Sequence, residues 1–471
     1  MNQRAIGIVS FGAYLPRYRL SGKTLAEAWG GSVRGGERAV ANFDEDSLTM
    51  AVEAALGALE GRDSGRVEAC YLASTTPPYA EKSSAALLAA AADLRKEVGV
   101  ADLGGSLRAG TTALRLALDV VRSGSAREAL VAAADIRSVA PGTELEPLLG
   151  DGAAAFLVGE EGVIATFEGA YTITQEFTDV WRRENDRYLT MGDLPFIRAY
   201  GYERFIPEVI DGLLAKTKLK RHDIARVAVY APDLRTAQTM QKLLGFPAEA
   251  VSHEELLAKV GNTGTASPLL ALARALEGAK PGDRILVVGY GSGAEALLFQ
   301  ATGEIERRAF TRGVTPWLGA GRPLTHYGRF LQFRRHVETE EIKAYTALPI
   351  QMREERETLR LYGQRCLDCG AVQYPVRHVC WKCSSRRFAE QKLSRRGKVF
   401  TFTKDHLVPS PDPPTIMVAA DLEGGGRFYT QLTDCDPETV TFEMPVELTL
   451  RRFHEGEDLA NYFWKFRPVL A

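Results

Sequence analysis

The first 300 residues of this 471-residue chain repeat themselves, and that repeat constrains the fold more than any other feature. "GRVEACYLASTTPPYAEKSSAALLAAA" (65–91) is echoed by "IARVAVYAPDLRTAQTMQKLLGF" (224–246): a buried strand, a polar turn, then a helix. "GTTALRLALDVVRSGSAREALVAAAD" (110–135) is echoed by "GTASPLLALARALEGAKPGDRILVVGY" (264–290), where Gly-Thr opens an apolar-periodic helix that leads through a Gly-containing turn into a strand. "GDGAAAFLVG" (150–159) matches "GSGAEALLFQ" (291–300). Three blocks in the same order predict two duplicated βα halves. Their strands are almost wholly apolar, as strands covered by helices on both faces are. The expectation is a layered α/β/α/β/α domain whose site lies at helix N-termini and strand ends, where the halves meet.

The remaining sequence sets the class. Hydrophobic residues make up 45% of the chain and charged residues 25%, enough apolar material for real cores. Lys+Arg 58 against Asp+Glu 60 gives a formal charge of -2, which argues against nucleic acid or an anionic membrane as partner. The start, "MNQRAIGIVSFGAYLPRYRL", is too polar for a signal peptide and reads as a first strand over 5–10, and no apolar run is long enough to span a membrane. A cytoplasmic location is expected.

After about residue 338 the βα pattern stops. A charged segment expected to be helical runs to Gly363, followed by "CLDCGAVQYPVRHVCWKC". Cys366, Cys369, Cys380 and Cys383 have the spacing Cys-x2-Cys-x10-Cys-x2-Cys. Two such knuckles close four thiolates around one Zn²⁺ and leave no open position, so the metal's role is structural. Rubredoxin-like spacing also accommodates iron, and His378 is read as a bystander. Beyond the knuckles, "GKVFTFTKDHLV", "TIMVAADLEGGGRFYTQLTD" and "MPVELTLRRF" alternate apolar and polar residues between Gly turns, which predicts about five antiparallel strands in a small all-β OB barrel.

"IGIVSFGAYLPRYRL", "GDGAAAFLVG", "GNTGTASPLLALA" and "KPGDRILVVGYGSGAEALLF" together resemble the thiolase superfamily. The nearest branch is the bacterial and archaeal 3-hydroxy-3-methylglutaryl-CoA synthases, with ketoacyl-ACP synthase III more distant. The resemblance covers about residues 1–335. It implies duplicated thiolase-like α/β/α/β/α layers, an acyl-CoA thioester substrate with coenzyme A as part of it, and a homodimer formed through this half. Residues 340–471 resemble the zinc ribbon and OB module that accompanies many thiolases and synthases as a separate subunit. The division expected is 1–165 and 166–335 for the two thiolase-like halves, 336–395 for a linker helix and zinc ribbon, and 396–471 for the OB fold.

The family's covalent chemistry is where the chain departs. The family Cys, in a pattern like "ADLxxxCxAGT", falls on Leu107 of "ADLGGSLRAGT". The family Glu falls on Thr75 of "STTPPYA", and the family His on Ala231 of "VYAPDL". Asn262 of "GNT" and the turn Tyr290–Gly293 are retained. Leucine cannot be acylated, so a Cys acyl-enzyme is excluded. The leading expectation is aldol or retro-aldol cleavage or formation of a carbon–carbon bond in an acyl-CoA. That chemistry needs an acid/base, an enolate site and positioning. Some Cys-less thiolase-fold aldolases that resemble this chain use Tyr as acid/base and work with a partner OB-fold protein, so a partner enzyme is one expectation. Tyr79, Tyr200, Tyr202 and Tyr290 are the Tyr candidates, joined by Asn262 and Ser106. Substrate contacts are expected from Leu107, Gly291, Ser292 and Gly293 as backbone donors and pocket wall, and from Arg182 and Arg183 toward CoA phosphates. Two alternatives stay open: a non-catalytic acyl-CoA-binding scaffold or partner subunit, and a Claisen-type acyltransferase using Ser106 although no His occupies a matched motif position.

Overall fold

The computed structural model describes residues 5–32, 36–251, 254–338 and 344–470. It divides into two compact units. The first comprises Met1–Ala41, Asp46–Ala89 and Leu94–Phe330; the second comprises Asn42–Glu45, Ala90–Asp93 and Leu331–Ala471.

In the first unit, strands β1 (Gly7–Tyr14), β2 (Val67–Ala73), β3 (Gly99–Leu103), β4 (Glu128–Asp135) and β5 (Gly152–Gly159) stand in the order β1-β5-β4-β2-β3. Strands β6 (Ala165–Thr174), β7 (Arg226–Val229), β8 (Arg284–Tyr290) and β9 (Gly293–Ala301) stand in the order β6-β9-β8-β7. A parallel bridge from Val227 to Val251 takes the place that β3 holds in the first half. The strand order is therefore the same twice over, as the repeat predicts. The halves join where β1 and β6 pair antiparallel at Gly7↔Thr166 and Ile8↔Ala165. The first strand begins and ends later than the 5–10 expected, because the apolar run continues to Tyr14 before Pro16 stops it.

The helices complete the layers. α1 (Ser47–Ala58) packs on β1, β4 and β5, whereas α4 (Glu203–Thr217) packs on β6, β8 and β9. α2 (Ser84–Ala91) and α5 (Leu234–Leu244) are the helices of the first repeated block. α3 (Ala109–Arg122) and α6 (Ser267–Glu277) contact each other and strands of both halves, and so form the middle layer. α3 buries Ala109, Ala113, Leu114, Ala117, Leu118 and Val121, a stripe at helical spacing. Gly110 is required there: a Cβ on it would lie 2.2 Å from the Thr265 carbonyl oxygen. β4 and β5 are buried along their whole length.

In the second unit, β10 (Tyr362–Cys366), β11 (Val372–Gln373) and β12 (Phe388–Lys392) form the ribbon. β13 (Arg396–Asp405), β14 (Thr415–Leu422), β15 (Arg427–Leu432), β16 (Pro445–Gly456) and β17 (Leu459–Pro468) close a five-stranded barrel in the order 13-14-15-17-16. β14 alternates buried and less buried residues, with Ile416, Val418, Ala420 and Leu422 inward. In the charged segment expected to be helical as far as Gly363, two short helices, Leu348–Arg353 and Glu355–Thr358, occur, the strand β10 already begins at Tyr362, and residues 339–343 lie outside the described residues. Pro349 sits in the first turn of the former, where proline can start a helix but cannot continue one.

Candidate active site and metal centre

A cavity of about 310 Å³ lies in the first unit at the N-terminus of α3. Its walls come from four strand ends and turns: Thr75 and Thr76 after β2, Gly105–Leu107 after β3, Arg137 and Ser138 after β4, and Gly291 and Ser292 between β8 and β9. The segment Glu176–Arg182 closes another side. The volume suits the reacting end of a small acyl group.

Leu107 occupies the turn just before α3 and is 5% exposed. Its side chain belongs to the apolar cluster that holds Tyr202, Tyr230 and Tyr290. Among the described residues its backbone N–H has no hydrogen-bond partner, and it sits at the positive end of a 14-residue helix that lacks a side-chain cap. Gly291 presses against this spot. At φ +149°, a Cβ on Gly291 would lie 3.1 Å from Leu107 N and 2.5 Å from Ser106 Oγ. The Gly291 N–H, expected to serve as a second donor, is committed to the Gly293 carbonyl at 3.0 Å. Ser292 stands at φ +47° and Gly293 at φ +100°, so the turn holds three consecutive residues at positive φ.

Ser106 lines the cavity, and its Oγ accepts the Arg108 N–H at 3.3 Å. Asn262 is buried and does not line the cavity. Its Nδ2 donates to Tyr230 Oη at 2.9 Å, and its Oδ1 accepts the Gly264 N–H at 2.9 Å. Arg182 is at the rim and donates to the Thr75 carbonyl at 3.2 Å, whereas Arg183 is exposed and paired with Asp186 at 3.1 Å. Tyr79 is half-buried outside the lining, with Lys82 Nζ 5.3 Å from its ring centre, and Tyr200 is exposed and stacked on Phe196 at 4.8 Å. Ala231 faces a separate void of about 10 Å³ bounded by Leu256, Val260 and Leu270. Of the three departures from the family pattern, Leu107 and Thr75 share the main cavity, and Ala231 does not.

Three further residues organise the site. Asp135 ends β4 and is fully buried. Its Oδ1 accepts from Ser74 Oγ at 3.0 Å, Thr75 N at 2.7 Å, and the Thr75 and Thr76 hydroxyls at 3.0 Å; its Oδ2 accepts Thr265 N at 2.8 Å. One carboxylate thus ties the turn after β2 to the start of α6. Asp179 lines the cavity and is 6% exposed. Its Oδ1 accepts the Val180 N–H at 2.6 Å, while Oδ2 has no hydrogen bond of standard geometry. Beside it lies Tyr290 Oη, buried and likewise without one. Burial raises the Asp179 carboxyl above the usual Asp range against the pull of the Val180 amide, the Tyr290 hydroxyl and Arg137. Burial, then the Asp179 charge, raises Tyr290 far above an ordinary phenol. Tyr290, Tyr202 and Tyr230 form one cluster with ring centres 4.5 to 6.1 Å apart. Asp135 ends the apolar run "ALVAAA" of its strand, which is a signal the sequence carries. Asp179 opens a charged run, "DVWRRENDRY", and nothing local sets it apart there.

In the second unit, the Sγ atoms of Cys366, Cys369, Cys380 and Cys383 all lie within 4.8 Å of one another. Cys366 to Cys383 and Cys369 to Cys380 are each 3.6 Å. A tetrahedron of ~2.3 Å metal–sulfur bonds has edges of about 3.8 Å, so the four thiols fit a structural metal ion. His378 is exposed and no part of the cluster.

Comparison with known proteins gives two sets of matches. Residues 102–172 match the family model of 3-oxoacyl-[acyl-carrier-protein (ACP)] synthase III, and 214–300 match that of its C-terminal part. Residues 353–389 match the ChsH2 rubredoxin-like zinc ribbon domain, and 390–451 the ChsH2 C-terminal OB-fold domain. The chain is 37% identical to the hydroxymethylglutaryl-CoA synthase of Methanopyrus kandleri over 312 residues, which is 64% of this chain and 89% of that protein. It is 36% identical to that of Pyrococcus furiosus, over 62% and 85%. A crystal structure of HMG-CoA synthase complexed with CoA superposes with a TM-score of 0.63 at 22% identity, over 73% of this chain and 96% of that one. 3-Oxoacyl-[acyl-carrier-protein] synthase III from Aquifex aeolicus superposes with a TM-score of 0.58 at 26% identity, over 63% and 99%.

Proposed function

The chain belongs to the hydroxymethylglutaryl-CoA synthase family of thiolase-fold condensing enzymes, and from that premise we propose that it makes or breaks a carbon–carbon bond in an acyl-CoA thioester by aldol-type chemistry, without a covalent acyl-enzyme. The observation that carries this reading is Leu107. It stands where the family's thiolate would stand, in the cavity, with a backbone N–H left without a partner at a helix N-terminus. A bound thioester oxygen placed there would receive that N–H as negative charge develops on it. Thr75, at the family's Glu position, is held by Asp135 and so gives structure rather than a base.

The proposal includes coenzyme A as the carrier of the acyl group, Arg182 at the rim as a phosphate or pantetheine contact, a homodimer formed through the thiolase-like half, and a cytoplasmic location. Zinc, in preference to iron, is the metal proposed for the four cysteines: it is redox-inert and suits a closed tetrahedral thiolate site. Parts 1–165, 166–335, 336–395 and 396–471 are the proposed modules. No helix among the described residues is long and apolar enough to cross a membrane.

The test is to incubate the purified chain with 3-hydroxyacyl-CoA and 3-oxoacyl-CoA panels, following aldehyde, ketone and free CoA alongside intact protein mass. Aldehyde or ketone release at unchanged protein mass is the expected outcome; an acyl adduct on the protein sinks it. A second reading, a non-catalytic acyl-CoA scaffold, is favoured by one observation: the family's Cys, Glu and His positions hold Leu107, Thr75 and Ala231 together. Tight thioester binding with no turnover across both panels selects it.

A further inference from the structure

We propose that the Asp179 carboxyl group, working with the Tyr290 hydroxyl, is the acid–base centre of the cavity: it takes the proton from the β-hydroxyl of a bound 3-hydroxyacyl-CoA and returns it to the α-carbon. This rests on the thioester reading above.

The argument starts from an accounting of polar atoms. A buried oxygen without a hydrogen bond costs free energy, and native proteins rarely leave one unexplained. Here Asp179 Oδ2 and Tyr290 Oη sit side by side, interact with each other, and have no hydrogen bond of standard geometry. The fold holds both in place. Asp179 is fixed by the Val180 N–H on Oδ1, and its own carbonyl accepts the Gly192 N–H at 2.9 Å. Tyr290 ends β8 between the rings of Tyr202 and Tyr230 and points at Gly201, where a Cβ would lie 2.5 Å from its oxygen. Asp179 lines the cavity that Leu107 lines, so a substrate oxygen entering that cavity meets the Asp179–Tyr290 pair.

The groups facing Asp179 favour proton exchange. Three are neutral phenols, Tyr202, Tyr230 and Tyr290, and the Arg137 guanidinium is a full charge that acts on Asp179. Glu176 and Arg182 of the lining balance each other in sign. A carboxyl group in such surroundings holds its proton more readily than one in water, which suits a group that must both take and give it.

The step balances. Asp179 Oδ2 takes the hydroxyl proton, the Cα–Cβ bond breaks, and its electron pair moves onto the thioester oxygen as an enolate beside the Leu107 N–H. The former hydroxyl carbon leaves as an aldehyde or ketone. The enolate α-carbon then takes the proton back from Asp179. Nothing is oxidised or reduced, no co-reactant enters, and condensation is the same path reversed.

The experiment compares wild type with Asp179→Asn, Asp179→Glu and Tyr290→Phe in two assays: cleavage of short-chain 3-hydroxyacyl-CoA, and exchange of the α-protons of butyryl-CoA in D2O followed by mass. Thermal unfolding confirms that each variant is folded. Expected is a loss of at least about a hundredfold in kcat for Asp179→Asn with KM changed little, and partial recovery with Asp179→Glu. Loss of the acidic limb of the pH profile, which a merely structural Asp179 does not produce, accompanies it. Tyr290→Phe lowers both rates and moves that limb. If wild type exchanges but does not cleave, and Asp179→Asn does neither, the acid–base assignment stands and the aldol reading falls. If wild type cleaves and Asp179→Asn cleaves within about threefold of it, the assignment alone falls. If wild type does neither, both fall.

Discussion

At the scale of single residues, the site is a set of replacements whose consequences differ. On the proposed reading Leu107 replaces a nucleophile yet keeps the turn, because the backbone N–H and the close approach of Gly291 depend on main-chain geometry rather than on the side chain. Asp135 is the opposite case, a side chain on which the main chain depends. Its carboxylate accepts from the turn 74–76 and from Thr265 across the middle of the domain. Asp135→Ala leaves those donors buried without an acceptor, at a cost of about 3–5 kcal/mol. The measurement is denaturant unfolding, with a fall in midpoint expected at unchanged slope; a change under about 0.5 kcal/mol contradicts the role, being the size of an ordinary surface substitution. The proposed replacements at 75, 107 and 231 are read from motif order in the sequence alone. Asp179 is not legible in that way, because its meaning depends on Tyr290, more than a hundred residues away in sequence, and no local pattern encodes that meeting.

At the scale of elements, periodicity told most. The repeated blocks are β2-α2 with β7-α5, α3-β4 with α6-β8, and β5 with β9, each pair in matching places in the sheet. Burial on both faces is what makes such strands uniformly apolar, so the pattern can be read directly. The charged segment before the ribbon reads as helical because charged residues suit helices in general; it forms two short helices, the first with Pro349 in its opening turn and the break at Glu354. In the ribbon itself, the spacing of the cysteines forces the outcome. The ribbon brings the two pairs together, in an arrangement that fits a structural metal ion. Intact mass under non-denaturing conditions is expected to give one zinc per chain. Removal by chelator, or Cys383→Ser, is expected to release or weaken the metal and melt the ribbon, since structural zinc supplies about 10–16 kcal/mol of folding free energy in zinc-finger peptides near neutral pH. Retention of the ribbon's unfolding transition in the metal-free protein contradicts it.

At the scale of the whole molecule, the charges are nearly balanced overall but not evenly distributed. The second unit buries a cluster in which Lys465 Nζ lies 2.8 Å from Asp44 Oδ2, and Arg451 contacts Glu45 and Asp434. A second buried pair, Arg467 with Glu447 at 2.7 Å, joins β16 to β17. Burial pushes the Asp44 carboxyl up, and Lys465 and Arg451 together pull it further down, so its net shift is below the ordinary value of 3.8. A carboxyl lowered in the folded state stabilises the fold above its unfolded value and loses that contribution as pH falls through its folded value. The second unit is therefore expected to lose stability as pH drops below about 4, the unfolded Asp range. Thermal unfolding from pH 7 to pH 3 is the measurement. Asp44→Asn should be less stable than wild type at pH 7 and show a shallower fall on acidification. An unchanged slope in that variant overturns the assignment to Asp44.

The leucine at the floor of the cavity also bears on how the protein could be blocked. Condensing enzymes that work through a thiolate are open to electrophilic poisons that alkylate or acylate that sulfur. Here the corresponding carbon side chain offers such a reagent nothing to react with, and outside the four-cysteine cluster Cys70 and Cys435 are both buried. On the proposed mechanism, a cell carrying this chain beside a thiolate-dependent relative would keep the one activity while losing the other. A compound meant to silence both would have to compete for the thioester site by shape and charge, as a reversible mimic of the enolate.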